Sequence, residues 1–86
     1  MNVLATPKAE ADLETMDAPL IRFFLKHFEK LQEMPPRRHL RFGMPFCVEN
    51  VTTQARFVYK IEGDPLWVER CFATHKEYEK WYRSYK

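Results

Sequence analysis

Apolar and polar residues alternate along three stretches in the second half of this 86-residue chain. Alternation over residues 46–51, 55–61 and 66–72 predicts three β-strands, because successive side chains of a strand point to opposite faces of a sheet. A tight turn at residues 62–65 joins the second and third strands. A short apolar start at residues 2–5 predicts one further strand, at the edge of the same sheet.

The first half of the chain instead repeats its apolar residues at helical spacing. Thr6 followed by Pro7 is typical of a capped helix start and predicts a short first helix. Asp17 predicts the cap of a longer helix over residues 18–33, which the proline pair 35–36 is expected to stop. The buried face of that helix is expected to carry Leu20, Phe23, Phe24, His27, Phe28 and Leu31.

Thr74 and Glu77 have the spacing of a capping box and predict a short C-terminal helix. An aromatic stripe at helical spacing follows, formed by Tyr78, Trp81, Tyr82 and Tyr85. Together these elements predict a single α+β domain over residues 1–86. In it, an N-terminal helical hairpin packs on the apolar face of a small, mostly antiparallel twisted sheet.

The composition excludes several classes of site. Two glycines are too few for a glycine-rich phosphate loop or a dinucleotide fold. Two widely separated cysteines and three scattered histidines do not assemble a four-ligand zinc site, so we expect neither a metal nor any other cofactor. The chain has no signal-peptide pattern and no apolar run of membrane-spanning length, which predicts a cytoplasmic protein with reduced thiols and no membrane partner.

Positive charge is concentrated in the second half of the chain. Acidic residues outnumber lysine and arginine over residues 1–34, whereas lysine and arginine are in clear excess over residues 35–86. A basic segment with interleaved aromatic residues is typical of proteins that bind a polyanion. The residues expected to contact phosphate, with solubilising surface charge as the alternative, are Arg37, Arg38, Arg41, Lys60, Lys76 and Lys80.

One end of the predicted sheet collects side chains suited to RNA chemistry. Arg56 lies at the start of one strand, and His75 and Tyr78 follow the end of the next, so all three are expected to lie close together. They offer a guanidinium for phosphate, an imidazole for proton transfer near neutral pH and a ring that stacks on a base. Glu49 and Lys60 are expected on the same outward sheet face as Arg56, toward solvent or a ligand.

Two segments resemble the RelE/ParE superfamily of bacterial toxins: residues 55–62, read as ARFVYKIE, and the ending Thr-His-Lys-Glu-Tyr at residues 74–78. Residues 43–47 and the order of two helices before the strands are also similar to RelE-like members, and the ending is most similar to HigB-type members. The resemblance implies a RelE-like fold and a cognate antitoxin as partner. It also implies one of two activities: RNA-cleaving members cut messenger RNA without a metal, usually in the ribosomal A site, whereas ParE-like members poison DNA gyrase.

The resemblance further implies roles for individual residues. Glu49 would be the general base, as in YoeB-like members, Arg56 would stabilise charge on the phosphate, and His75 would be the general acid. Tyr78 would stack on a nucleobase or contact phosphate. The alternatives are an ordinary ion pair between Glu49 and Arg56, a merely exposed His75 at the helix start, and a Tyr78 that only packs on the sheet.

We therefore expect the toxin of a type II toxin–antitoxin system, inhibiting translation by metal-independent, ribosome-dependent cleavage of messenger RNA. Two alternatives stay open: a gyrase-poisoning toxin of the same fold without nuclease activity, and an inactive relative that acts only by protein binding. A protein-binding toxin needs no acid–base pair. The placement of Glu49, Arg56 and His75 therefore discriminates between these functions.

Overall fold

The computed structural model describes residues 2–33, 46–61 and 65–85. Their elements, in chain order, are β1 Val3–Ala5, α1 Pro7–Glu14, α2 Ala18–Glu33, β2 Cys47–Asn50, β3 Arg56–Ile61, β4 Leu66–Phe72 and α3 His75–Tyr85. Every predicted strand and helix is present, with differences of one residue at several ends. The proline pair 35–36 lies outside the described residues. Within these ranges, no helix combines the length and apolarity needed to cross a bilayer.

The strands form one mixed sheet in the order β1-β4-β3-β2. β1 runs parallel to β4 at one edge, while the pairs β2–β3 and β3–β4 are antiparallel. The register places Glu49 opposite Phe57 and Asn50 opposite Arg56. The β3–β4 register shifts once in mid-strand, as at a β-bulge. The predicted, mostly antiparallel sheet with a short N-terminal edge strand is confirmed.

Side-chain caps start both N-terminal helices where the sequence places them. The Thr6 hydroxyl oxygen accepts a hydrogen bond from the Ala9 backbone N–H at 3.2 Å, and Pro7 occupies the first turn of α1. At the start of α2, an Asp17 carboxylate oxygen accepts from the Leu20 backbone N–H at 3.0 Å. Both predicted caps are confirmed.

The helices α1 and α2 cover one face of the sheet, which we name the hairpin face. Phe24 and Phe28 of α2 pack on Phe57 of β3, and the Phe28 and Phe57 rings meet edge to face with 4.9 Å between their centres. The buried residues of this core are Ala9, Phe24, Phe28, Leu31, Cys47, Ala55, Phe57, Tyr59, Leu66, Val68 and Cys71. The prediction that Phe23 is buried is wrong: it is half exposed, because it lies about 100° around the helix from Phe24.

A bidentate ion pair fixes α1 to β4. Arg70 donates from Nε and Nη2 to the two Asp12 carboxylate oxygens at 2.7 and 3.1 Å, and the Cys71 backbone N–H donates to the same carboxylate at 3.0 Å. The hydrogen bond to Asp12 raises the pKa of Arg70 above its ordinary value. This ion pair therefore helps to fix the helical hairpin on the sheet.

The other face of the sheet, which we name the α3 face, carries a second and smaller core. Its buried residues are Phe46, Val58, Phe72 and Tyr78. Trp81 of α3 packs on two of these residues. Its ring centre lies 5.5 Å from that of Phe46 and 5.6 Å from that of Phe72. The expectation of an outward face open to solvent is therefore wrong where α3 covers it.

Candidate functional site

A reciprocal cap fixes the start of α3. The Glu77 backbone N–H donates to Thr74 Oγ1 at 3.1 Å, and Glu77 Oε2 accepts from the Ala73 and Thr74 backbone N–H groups at 3.1 and 3.3 Å. The predicted capping box is confirmed. His75 is the first residue of α3, and its backbone N–H donates to Gln54 Oε1 at 3.3 Å. The loop before β3 therefore helps to place the histidine.

Arg56 is the first residue of β3, and its side chain lies on the α3 face. The guanidinium carbon is 5.2 Å from the centre of the Tyr78 ring, a cation–π contact, and Nη2 donates to the Thr53 carbonyl oxygen at 3.1 Å. The Nε atom is buried and has no hydrogen-bond partner among the residues that the structure describes. The guanidinium as a group carries a positive charge and a planar shape that suit a phosphate.

His75 and Arg56 both lie near the ring of Tyr78. The centres of the His75 and Tyr78 rings are 6.2 Å apart. Tyr78 itself is 1% exposed and packs against Phe72 and Tyr82, with 5.8 and 6.2 Å between ring centres. Tyr78 is therefore a core residue beneath the site. This is the packing alternative expected for it, and its ring has no exposed face for a nucleobase.

Glu49 lies on the hairpin face, away from these residues. Cys47 and Val51, two residues before and after it, pack in the hairpin-face core, and Glu49 Oε2 is 3.6 Å from Nδ1 of His27 on α2. The expectation that Glu49 shares a sheet face with Arg56 is wrong, and the alternative, an ion pair between the two, is not found among the described residues. Both faces of β2 carry apolar residues because helices cover both, so alternation alone does not show which face meets α3.

A different carboxylate, Glu79, belongs to the cluster. Glu79 Oε1 is 3.1 Å from Nδ1 of His75 one turn earlier, and Oε2 is 3.4 Å from Nη2 of Arg83 one turn later. Sequence reasoning missed Glu79, although a histidine and a glutamate four residues apart share one side of a helix. We name Arg56, His75, Tyr78 and Glu79 together the α3 site.

The predicted phosphate contacts are spread around the molecule. Lys60 lies on the α3 face, 5.1 Å from the centre of the Phe46 ring and about 13 Å along β3 from Arg56. Lys76 is exposed in the first turn of α3, while Lys80 lines a cleft of about 370 Å³ that also contacts α1. The remaining predicted contacts, which lie outside the described residues, are Arg37, Arg38 and Arg41.

Among the residues that the structure describes, no three His, Cys, Asp or Glu side chains are grouped to hold a metal ion. Burial raises the pKa of the Cys71 thiol to about 12, and burial also raises the pKa of Tyr59 to about 12. Both groups stay neutral at physiological pH and serve the hairpin-face core.

Comparison with known proteins gives matches by fold and none by sequence. No protein-family model and no curated protein matches the chain. A YoeB/ParE toxin from Agrobacterium tumefaciens matches with a TM-score of 0.65 and 22% identity, over 83% of this chain and 95% of that chain. The chain has the RelE/ParE toxin fold.

Two further solved structures share this toxin fold. The RelBE2 toxin–antitoxin complex from Mycobacterium tuberculosis matches with a TM-score of 0.70 and 19% identity, over 83% of this chain and 87% of that chain. The YoeB dimer from Staphylococcus aureus matches with a TM-score of 0.66 and 12% identity, over 83% and 93% of the two chains. The fold implied by the resemblance is confirmed, and the activity has to be argued from the residues of this chain.

Proposed function

We propose that this protein is the toxin of a type II toxin–antitoxin system and that it inhibits translation by cutting messenger RNA without a metal. The α3 site supports the proposal: a guanidinium and an imidazole each lie near one tyrosine ring, and a carboxylate contacts the imidazole, on the fold of YoeB, ParE and RelE toxins. The excess of positive charge over residues 35–86 supports a polyanionic substrate.

The proposed reaction is an internal transfer at phosphorus. The 2′-oxygen of the ribose bonds to phosphorus and loses its proton, the bond from phosphorus to the 5′-oxygen breaks, and that oxygen gains a proton. The products are a 2′,3′-cyclic phosphate and a free 5′-hydroxyl. Arg56 stabilises the added charge on the phosphate oxygens through its guanidinium, which lies over the Tyr78 ring.

His75 supplies the proton to the departing 5′-oxygen. Its side chain is 43% exposed at the start of α3, so a bound phosphate can reach it, and an imidazole suits proton transfer near neutral pH. Glu49 is on the opposite face, which leaves His75 as the proton donor and no free base at the α3 site among the described residues. The 2′-hydroxyl proton then leaves to solvent or to a ribosomal group. This favours cleavage on the ribosome, where the messenger is also held in position.

The proposed antitoxin would cover exposed apolar surface. Phe23 and Leu25 of α2 are 50% and 47% exposed, and Leu4 and Trp67, on adjacent strands, are 46% and 39% exposed. An acidic, amphipathic segment that folds on binding would bury such side chains and complement the basic half of the chain.

A toxin without nuclease activity is the second candidate, either as a gyrase poison or as a relative that acts only by protein binding. One observation favours it. Glu49, the expected base, lies beside His27 on the hairpin face, so the acid–base pair expected of an RNA-cleaving toxin is incomplete within the described ranges.

Induced expression in bacteria, followed by primer extension on a reporter messenger RNA, distinguishes the two candidates. The nuclease proposal predicts growth arrest with discrete cuts in the message, and neither effect from His75→Gln at the same expression level. Growth arrest with intact messenger RNA and an SOS response would contradict the nuclease and support the gyrase poison.

A further inference from the structure

Glu79 and His75 make a short contact on consecutive turns of α3. Glu79 Oε1 lies 3.1 Å from His75 Nδ1, and the two side chains are 41% and 43% exposed. The contact is an ion pair when the imidazole is protonated, and a carboxylate facing Nδ1 favours a hydrogen on that nitrogen. The contact therefore favours the imidazole tautomer with its hydrogen on Nδ1, and it leaves Nε2 free for a substrate.

Other contacts fix the same residue from neighbouring elements. The backbone N–H of His75 donates to Gln54 Oε1, and the Tyr78 ring lies 6.2 Å from the imidazole. Arg56 packs on the same Tyr78 ring from β3, with its guanidinium carbon 5.2 Å from the ring centre. The imidazole is thus bounded by a carboxylate on its own helix and, across Tyr78, by a guanidinium on the sheet.

We propose that Glu79 is a positioning residue that holds the His75 ring by Nδ1–H and aims Nε2 toward a phosphate bound at Arg56. This inference rests on the proposed function. In the cleavage step, the electron pair of the breaking P–O bond stays on the 5′-oxygen, which takes the Nε2 proton of the protonated ring. The neutral ring that remains keeps its Nδ1–H bonded to Glu79. Glu79 would thus hold the ring in one tautomer, as the aspartate does in a Ser-His-Asp triad.

The second neighbour of Glu79 provides a matched control. Glu79 Oε2 is 3.4 Å from Arg83 Nη2, and exposed pairs at this spacing stabilise a helix slightly. Arg83→Gln removes this pair and leaves the contact between Glu79 and His75 intact. Glu79→Gln is isosteric and removes the carboxylate charge, so it tests the contact with His75 without opening a cavity.

The test combines cleavage with NMR of the ring nitrogens in the full chain. At a pH where the ring is neutral, wild type and Arg83→Gln are expected to show the Nδ1–H tautomer, and Glu79→Gln a mixture of both tautomers. Cleavage of messenger RNA by Glu79→Gln is expected to fall about 10- to 100-fold, by analogy with the partners that orient metal-bound histidines, with Arg83→Gln at the wild-type rate. Glu79→Asp, which keeps the charge, is expected to recover part of the rate.

The outcomes separate the positioning role from the proposed function. An unchanged tautomer in Glu79→Gln, or an unchanged rate when His75→Gln is inactive, overturns the role of Glu79 and leaves the proposed function standing. A wild-type protein that cuts no messenger RNA overturns the proposed function. In that case, the comparison of the His75 tautomer in wild type and Glu79→Gln is the measurement that decides the positioning role.

Discussion

At the scale of single residues, Arg56 and His75 are each held by neighbouring groups. Arg56 binds the Thr53 carbonyl through Nη2 and lies over the Tyr78 ring, while its Nε has no hydrogen-bond partner among the residues described. His75 is held through its backbone by Gln54 and through Nδ1 by the carboxylate one turn later. Each side chain is therefore oriented before any substrate arrives, which lowers the cost of ordering it during the reaction.

Arg56→Lys tests whether the planar guanidinium matters beyond its charge. Lysine keeps the positive charge but has no Nε donor and no fork for two parallel hydrogen bonds to phosphate. We expect the rate of messenger-RNA cleavage in a purified translation reaction to fall about a hundredfold, the usual cost of losing one donor to the transition state. Arg22→Lys, the same change on an exposed position of α2, is the control. An undiminished rate in Arg56→Lys would show that charge alone suffices.

The sequence alone predicts that Arg56 lies at the same end of the sheet as His75 and Tyr78. Arg56 pairs with Phe72 across β3 and β4, so a residue at the start of one strand must lie near whatever follows the other. The predicted face of Glu49 was wrong because helices cover both faces of its strand. The alternation of apolar and polar residues then does not distinguish the hairpin face from the α3 face. The role of Glu79 could have been predicted from its position four residues after His75.

At the scale of elements, β3 and β4 are the centre of the molecule. Phe57 and Tyr59 face the helical hairpin, Val58 between them faces α3, and all three are fully buried. A strand buried on both faces reads as a nearly continuous apolar run. Tyr59 and Cys71 are buried in the hairpin-face core in their neutral forms. The stability of that core therefore depends on both side chains remaining protonated.

The free energy of unfolding is expected to fall at alkaline pH because of these two groups. Burial raises the pKa of Cys71 from 9.0 to about 12 and that of Tyr59 from 10.0 to about 12, so the folded state holds both protons more tightly than the unfolded chain. Their contribution is fully present below pH 9 and is lost as the pH rises toward 12. Urea titrations at a series of pH values measure this dependence.

Tyr59→Phe provides the control for the alkaline fall. Phenylalanine keeps the ring and has no proton to lose, so the decline above pH 10 is expected to be shallower than in the wild type. A wild-type stability that stays level to pH 12, or a mutant whose decline matches it, would contradict the role assigned to the buried phenol.

At the scale of the whole molecule, the fold is a four-stranded sheet held between a helical hairpin and α3 within the described residues. Element order and the helix caps could be predicted because each depends on residues near one another in the chain. The position of α3 could not, because it depends on Trp81 meeting Phe46 and Phe72 from distant segments. The toxin fold sets the positions of the helices and strands. Whether the protein is a nuclease depends on the few side chains that α3 carries.

The rates of messenger-RNA cleavage by His75→Gln and Glu49→Gln, compared in one purified translation reaction, show on which sheet face the reaction takes place. If the chemistry lies on the α3 face, His75→Gln should lose about 10²–10⁴-fold in rate, as expected for removal of a general acid. Glu49→Gln, an isosteric change on the opposite face, should cut at the wild-type rate. A full rate in His75→Gln, or an equal loss in Glu49→Gln, would contradict the account.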